Sequence, residues 1–156
     1  MKHLPKLIIS ITLCEFAGIL GTPFTMAAIP AWYVFLNKPS FAPPNWLFGP
    51  TWTTLYLLMG ISFYLIWKQG LKKKKIKIAA YYFLGQLFFN FTWSIAFFGL
   101  RSPLLGLINI LILLVLIIAT MIKFKPLSKA AFYLLVPYVL WTSFATALNA
   151  SIVILN

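Results

Sequence analysis

The sequence predicts an all-α integral membrane protein, a bundle of five transmembrane helices in one domain that covers residues 1–156. Of its residues, 62% are hydrophobic and only 9% are charged, whereas a soluble domain carries about 25% charged residues. The apolar residues fall in blocks of about 20, the length that a helix needs to cross a bilayer. Backbone groups in lipid are satisfied only in helices or closed barrels. We predict spans at residues 7–28, 46–67, 78–99, 104–122 and 130–155.

The thirteen lysines and arginines give a further argument for an odd number of spans. With five spans, eleven of these cations fall on one side of the membrane and two on the other. Excess Lys and Arg marks the cytoplasmic side, so the N-terminus is predicted inside and the C-terminus outside. The six lysines between 68 and 77 suit topology and anionic-lipid contact better than nucleic-acid binding, which we do not expect. We expect the membrane of a prokaryotic cell.

The first span begins like a signal peptide but is too long for one and contains Glu15, so we predict a retained helix. Pro23 and Pro30 are expected to end or kink it near its outer end. Gly18 and Gly21 belong to small-xxx-small patterns that allow close helix approach. Two interpretations of this face are open, a dimer contact or packing within one chain.

The connection from Trp32 to Trp52 is rich in aromatic residues and carries Pro39, Pro43, Pro44 and Pro50. Proline fixes its own φ and disfavours helix in the residue before it, and disordered linkers are poor in aromatics. We therefore predict a stiff, ordered loop on the outer side.

Helical spacing places aromatic and polar side chains on common faces of the later spans. The second carries Trp52, Tyr56, Met59 and Phe63, the third Gln86, Asn90, Trp93 and Phe97, and the fifth Trp141, Ala145 and Asn149. Such stripes are more often plain packing. Amides are costly in hydrocarbon unless they meet partners, however, and a few polar groups among aromatic walls are also typical of a ligand pocket. Both interpretations are open on these residues alone.

Several longer motifs resemble those of the TspO/MBR family, the tryptophan-rich sensory proteins that include the mitochondrial translocator protein. They are Trp32-Tyr33 followed by Leu36-Asn37-Lys38-Pro39-Ser40-Phe41 and Pro43-Pro44; Trp52-Thr53 with Leu55-Tyr56; Asn90-Phe91-Thr92-Trp93 with Phe97-Phe98-Gly99; and Pro137-Tyr138 with Trp141, Phe144-Ala145-Thr146 and Leu148-Asn149. The resemblance implies a five-helix bundle, usually a homodimer. It also implies a receptor or sensor that binds porphyrins, such as protoporphyrin IX or haem, and similar flat hydrophobic molecules.

By motif position, the resemblance implies a pocket between the helices, closed by the first loop, which would act as a lid. A side chain larger than that of Ala145 would narrow it. Two departures matter: Leu105 and Asn109 stand where some members have Trp and Asp, and Ala150-Ser151-Ile152 replaces the mammalian cholesterol motif. The ligand-binding residues that we expect are Tyr33, Pro44, Trp52, Tyr56, Asn90, Trp93, Phe97, Trp141, Ala145 and Asn149.

Charged and titratable residues limit the chemistry. His3 is the only histidine and is terminal, so no buried axial His ligand for haem is expected, no metal site is predicted and no cofactor is required. Lys38 and Arg101, the two cations on the outer side, are candidates for pairing with porphyrin propionates; alternatively they only flank helices. Enzymatic activity is not predicted beyond the light-driven porphyrin breakdown proposed for the family, for which Trp52 and Trp141 are the candidates.

Glu15, the only carboxylate, supports an alternative function. A charged group in a transmembrane segment is costly and usually has a partner or a role. It is either a hydrogen-bonded structural carboxyl or the site of a proton-coupled small-molecule transporter. The family resemblance favours the receptor, which could be linked to tetrapyrrole transport.

Overall fold

The computed structural model describes residues 3–156, and within that range it is helical, without β-strands. The helices are α1 (Leu4–Ala31), α2 (Phe48–Trp67), α3 (Lys74–Ser94), α4 (Pro103–Phe124), α5 (Lys129–Leu134) and α6 (Val136–Leu155). Short 3₁₀ turns cover Tyr33–Phe35 and Asn45–Leu47, and a π turn, Ile95–Gly99, extends α3. The all-α prediction is confirmed for the described residues.

Three helical segments are long and apolar enough to cross a membrane: α1, α4 and the combined stretch Lys129–Leu155. The chain is therefore a helical membrane protein. The predicted spans 46–67 and 78–99 correspond to α2 and α3, which are helical but do not belong to those three. Five transmembrane crossings, and a single domain made of them, stay predictions.

Helix α1 passes through both of its prolines. Pro23 and Pro30 lie inside the helix, which continues to Ala31, so Pro23 does not end it. A proline inside a helix removes one backbone hydrogen bond, yet this 28-residue helix continues past both prolines and packs against α2 and α3. The first helix is therefore longer than the span 7–28.

The fifth predicted span is divided into α5 and α6 at Leu135. Pro137 explains the division, because it has no N–H to donate to the carbonyl four residues earlier. The hydroxyl of Ser62 on α2 donates to the carbonyl of Ala131 on α5 at 2.7 Å. This contact fixes the short helix against the bundle.

The basic segments meet at one end of the bundle. The ammonium of Lys6 lies 6.0 Å from the ring centre of Trp67, so the start of α1 lies beside the end of α2. Gln69, after α2, donates to the carbonyl of Leu127, before α5, at 3.1 Å. Lys2 lies outside the described residues. The charge segregation read from the sequence therefore corresponds to a real polarity of the fold, although its orientation in a membrane stays a prediction.

The connection between α1 and α2 lies at the opposite end, against the end of α6. The backbone N–H of Asn37 donates to Asn156 Oδ1 at 3.0 Å, and Asn156 Nδ2 donates to the carbonyl of Asn37 at 2.9 Å. Asn37 Nδ2 also donates to the carbonyl of Leu155 at 3.3 Å. These hydrogen bonds attach the connection to the end of α6, and its stiffness stays a prediction. Its function as a lid stays a prediction.

Two close helix contacts require glycine. A Cβ on Gly60 would lie 2.6 Å from the Ile11 Cα, which fixes how closely α2 approaches α1. A Cβ on Gly106 of α4 would lie 2.7 Å from Phe97 Cδ2 and 2.9 Å from Asn149 Oδ1. Small residues at helix crossings are the usual means of tight packing in membranes.

Candidate functional site

A large cavity lies between α1, α2 and α3. Its volume is about 390 Å³, within the range of roughly 300–1,000 Å³ that is usual for small-molecule sites. Trp52, Tyr56, Asn90 and Trp93 line it, all four of them predicted ligand residues. Its lining also includes Met26, which is 66% exposed, so the cavity reaches the surface of the bundle.

A second, small cavity of about 20 Å³ lies between α2, the end of α3 and α6. This volume is about that of a single water molecule, so the small cavity is closed to a larger ligand in this conformation. Seven predicted ligand residues line it: Tyr33, Trp52, Trp93, Phe97, Trp141, Ala145 and Asn149.

A shared aromatic wall separates the two cavities. It consists of Phe48, Trp52, Trp93 and Phe98, which line both of them. The ring centres of Trp52 and Trp93 lie 6.5 Å apart, with their planes inclined by 31°. The single pocket that the family resemblance implies is therefore divided into two cavities in this structure.

A chain of buried hydrogen bonds supports this wall from behind. The hydroxyl of Tyr56 donates to Asn90 Oδ1, Asn90 Nδ2 donates to the Tyr138 hydroxyl at 2.8 Å, and that hydroxyl donates to Gln86 Oε1 at 2.8 Å. The amides of Asn90 and Gln86 thus find partners inside the bundle, although Gln86 Nε2 is buried without a partner among the described residues. This chain links α2, α3 and α6, and it holds the Tyr56 ring on the large cavity.

A second set of polar contacts closes the small cavity. Trp93 Nε1 donates to Asn149 Oδ1 at 3.3 Å, and Asn149 Nδ2 donates to the carbonyl of Pro103 at 2.8 Å. Two buried donors in its lining, the Tyr33 hydroxyl and Trp141 Nε1, have no partner among the described residues. Burial raises the pKa of Tyr33 above its usual value, so its hydroxyl stays a neutral donor at physiological pH. These two groups could bind an acceptor if the small cavity widened.

The π turn after α3 determines where two phenylalanines lie. The N–H of Leu100 donates to the carbonyl of Ile95 at 2.7 Å, a spacing of five residues. This wider turn buries both Phe97 and Phe98, and π turns are frequent at functional sites. The regular spacing used for the sequence prediction identified Phe97 and missed Phe98. It also missed Phe48 and Tyr138. For Tyr138, the Pro137-Tyr138 motif was the available signal.

Three predicted residues lie away from both cavities. Pro44 is exposed and precedes the 3₁₀ turn Asn45–Leu47. Lys38 donates to the carbonyls of Tyr33, Leu36 and Val34 at 3.0, 3.1 and 3.3 Å, and these contacts use its three N–H groups. Arg101 is exposed, in a left-handed conformation with φ of 51°. Neither cation lines a cavity, so pairing with a propionate would require rearrangement.

Gly18 and Gly21 of α1 face the inside of the bundle. A Cβ on Gly18 would overlap the ring of Tyr56, and a Cβ on Gly21 would lie 2.8 Å from the Ser94 hydroxyl oxygen. Both glycines line the large cavity. Of the two interpretations of this small-residue face, the structure supports packing within one chain. Among the described residues, no cluster of His, Cys, Asp or Glu could hold a metal ion.

Comparison with known proteins identifies the family. The sequence pattern of the TspO/MBR family matches residues 10–155 of this chain. The chain belongs to the TspO/MBR family. Its relatives include the tryptophan-rich protein TspO of Chlorobaculum tepidum, 42% identical over 155 residues that cover 99% of this chain and 98% of the relative. The tryptophan-rich protein TspO of Archaeoglobus fulgidus is 45% identical over 152 residues, which cover 97% of each chain.

The human translocator protein is a third TspO/MBR relative, 38% identical over 132 residues that cover 83% of this chain and 78% of the human one. The resemblance read from the sequence motifs is thus confirmed. Bacterial and archaeal relatives at this identity are consistent with a prokaryotic source. One departure from other members has a local explanation: Asn109 Nδ2 donates to the Thr92 hydroxyl at 2.8 Å, so it joins α4 to α3.

Proposed function

We propose that this protein is a membrane receptor or sensor that binds a porphyrin, or a similarly flat hydrophobic molecule, in the large cavity. The supporting observation is the cavity itself, about 390 Å³ in volume with the rings of Trp52, Trp93 and Tyr56 on its wall. Aromatic rings attract other flat ring systems by offset stacking. The family membership is compatible with this function.

Binding would depend on stacking and shape. His3, the only histidine, lies exposed just before α1, so an axial histidine bond to haem is not part of the proposal. The cavity lining contains no Lys or Arg. Porphyrin propionates are therefore proposed to point out of the cavity, towards the segment with Asn45 and Trp46 that borders it. This segment, residues 32–47, is the proposed lid.

The test is a titration of the detergent-solubilised protein with protoporphyrin IX. Binding is read from the porphyrin's own absorption, because this signal does not depend on which tryptophans remain. Trp52→Leu should weaken binding at least about tenfold, since stacking and burial of an aromatic ring contribute more than about 1.4 kcal/mol. Trp67→Leu is the matched control, because Trp67 packs against Phe63 and lines neither cavity. Equal affinity of the wild type and Trp52→Leu would contradict the proposal.

A second candidate function, proton-coupled transport of a small molecule, is favoured by the position of Glu15 on the wall of the large cavity. Proteoliposome uptake driven by a pH gradient, and abolished in Glu15→Gln, would support it. Absence of flux in the wild type, with porphyrin binding intact, would reject the transporter and support only the receptor function.

For the light-driven porphyrin breakdown proposed for the family, the two candidate tryptophans are not equivalent. Trp52 lines the large cavity, where the ligand is proposed to bind, whereas Trp141 lines only the small one. If such chemistry occurs, Trp52 is the indole expected to be oxidised. The homodimer, the contact of the basic end with anionic lipid and the cytoplasmic N-terminus also stay proposals.

A further inference from the structure

The only carboxylate of the sequence is a wall residue of the large cavity. Glu15 lies on α1 and is half-buried. Its side chain makes no hydrogen bond or ion pair with any other residue in the described range 3–156. A carboxylate away from water is costly unless it is paired. Its position on a cavity wall leaves room for a partner supplied by a ligand.

Most other polar groups on this wall already have partners. The hydroxyls of Thr22, Thr25 and Thr53 each donate to a carbonyl one turn earlier in their own helix, at 2.9, 3.3 and 3.0 Å. Tyr56 and Asn90 are engaged in the buried hydrogen-bond chain. The wall is therefore apolar in effect, and Glu15 is its charged group.

The remaining surface of the cavity suits a positive charge on a flat ring. The lining contains no Lys or Arg that would repel a cation. Trp46, Trp52 and Tyr56 present aromatic rings, and ring faces attract organic cations, most strongly where water is excluded. Between charges of opposite sign, attraction also increases as the surroundings become less polar.

We propose that the large cavity binds flat aromatic cations, with the ligand's protonated amine paired to Glu15 and its ring against Trp52. The proposal rests on the cavity that carries the proposed function, and it names a ligand class that differs in charge from a porphyrin. The two classes should depend on Glu15 differently. A porphyrin offers no ammonium group to Glu15, whereas an aromatic amine does.

The experiment compares two probes of nearly the same shape, an aminoacridine that is protonated at neutral pH and uncharged acridine. The full chain is placed in nanodiscs of zwitterionic lipid, so that the cation does not collect on an anionic surface. Probe fluorescence gives the affinities. In the wild type, aminoacridine should bind at least about tenfold more tightly than acridine, as expected for one charge-assisted pair. Equal affinities would overturn the proposal without any variant.

Glu15→Gln keeps the shape of the side chain and removes its charge. It should weaken aminoacridine binding at least about tenfold and change acridine and protoporphyrin IX binding less than about threefold. Glu15→Asp, which keeps the charge, should retain part of the preference for the cation. A uniform loss for all three probes, or no loss for aminoacridine, would overturn the proposal.

The outcomes separate this proposal from the proposed function. Tight porphyrin binding with no preference for aminoacridine over acridine would reject the cation site alone. Glu15-dependent aminoacridine binding in a protein that does not bind porphyrin would support the cation site and reject the porphyrin receptor.

Discussion

The two cavities share an aromatic wall and differ in what lies opposite it. Across the small cavity from this wall, the rings of Tyr33 and Trp141 leave a volume of only about 20 Å³. Opposite the large one, α1 contributes Gly18, Gly21 and Thr22. The α1 side also includes the larger Ile19, Met26 and Ile29, and none of its lining residues is aromatic, whereas the rings of Tyr33 and Trp141 face the small cavity.

The largest expected effect is a loss of stability beside the small cavity. Gly106→Leu would place a side chain against Phe97 and Asn149, where a Cβ alone is already too close. We expect α4 to be displaced and the free energy of unfolding to fall by about 3 kcal/mol, the upper range for overpacking. Thermal unfolding in detergent measures this. Gly85→Leu is the control, because a Cβ there meets nothing within 4 Å; an equal loss in both variants would refute the explanation.

The next effect concerns the support behind the shared wall. Asn90→Leu removes the acceptor of Tyr56 and the donor to Tyr138, and it should cost about 2 kcal/mol, as for buried polar groups left without a partner. The double variant with Tyr56→Phe should lose less than the sum of the two single losses, because the two residues are coupled. Additive losses would show that the chain of hydrogen bonds is not cooperative. Thr146→Val, whose hydroxyl bonds only within its own helix, is the control.

A pair of variants compares the two cavities directly. Thr22→Leu should narrow the large cavity and weaken protoporphyrin IX binding about tenfold, equivalent to about 1.4 kcal/mol. Ala145→Leu should overpack the small cavity and lower stability, but change the affinity less than about threefold. Titrations of the two folded variants give the answer. The reverse pattern would place the ligand in the small cavity.

The smallest effect concerns the attachment of the segment 32–47. Asn156→Ala removes its two side-chain bonds with Asn37 and should cost only about 0.5–1 kcal/mol, because these groups are exposed and water can replace them. If the segment is a lid, porphyrin association and dissociation should both become faster in stopped-flow measurements. Unchanged rates would contradict its role as a lid. Ser151→Ala, which loses a bond within α6 alone, is the control.

Much of the candidate site could be predicted because its motifs are local. The spacing of Trp52 and Tyr56, and that of Asn90 and Trp93, places each pair on one helical face, and all four line the large cavity. Spacing failed where the backbone departs from the regular helix. The π turn adds Phe98 to both cavities, and Pro44 lies outside them although it belongs to a matching motif.

The sequence by itself determined that this is a helical membrane protein of the TspO/MBR family, and its proline positions predict a stiff first connection. Composition, proline positions and motifs are properties of the chain alone. Only the tertiary structure decided that the aromatic residues divide into two cavities, and that Glu15 lies on the larger one. The physical reason is that α1 is apolar around most of its circumference. Its periodicity therefore cannot distinguish the face towards lipid from the face towards a cavity, and packing against α2 and α3 makes that choice.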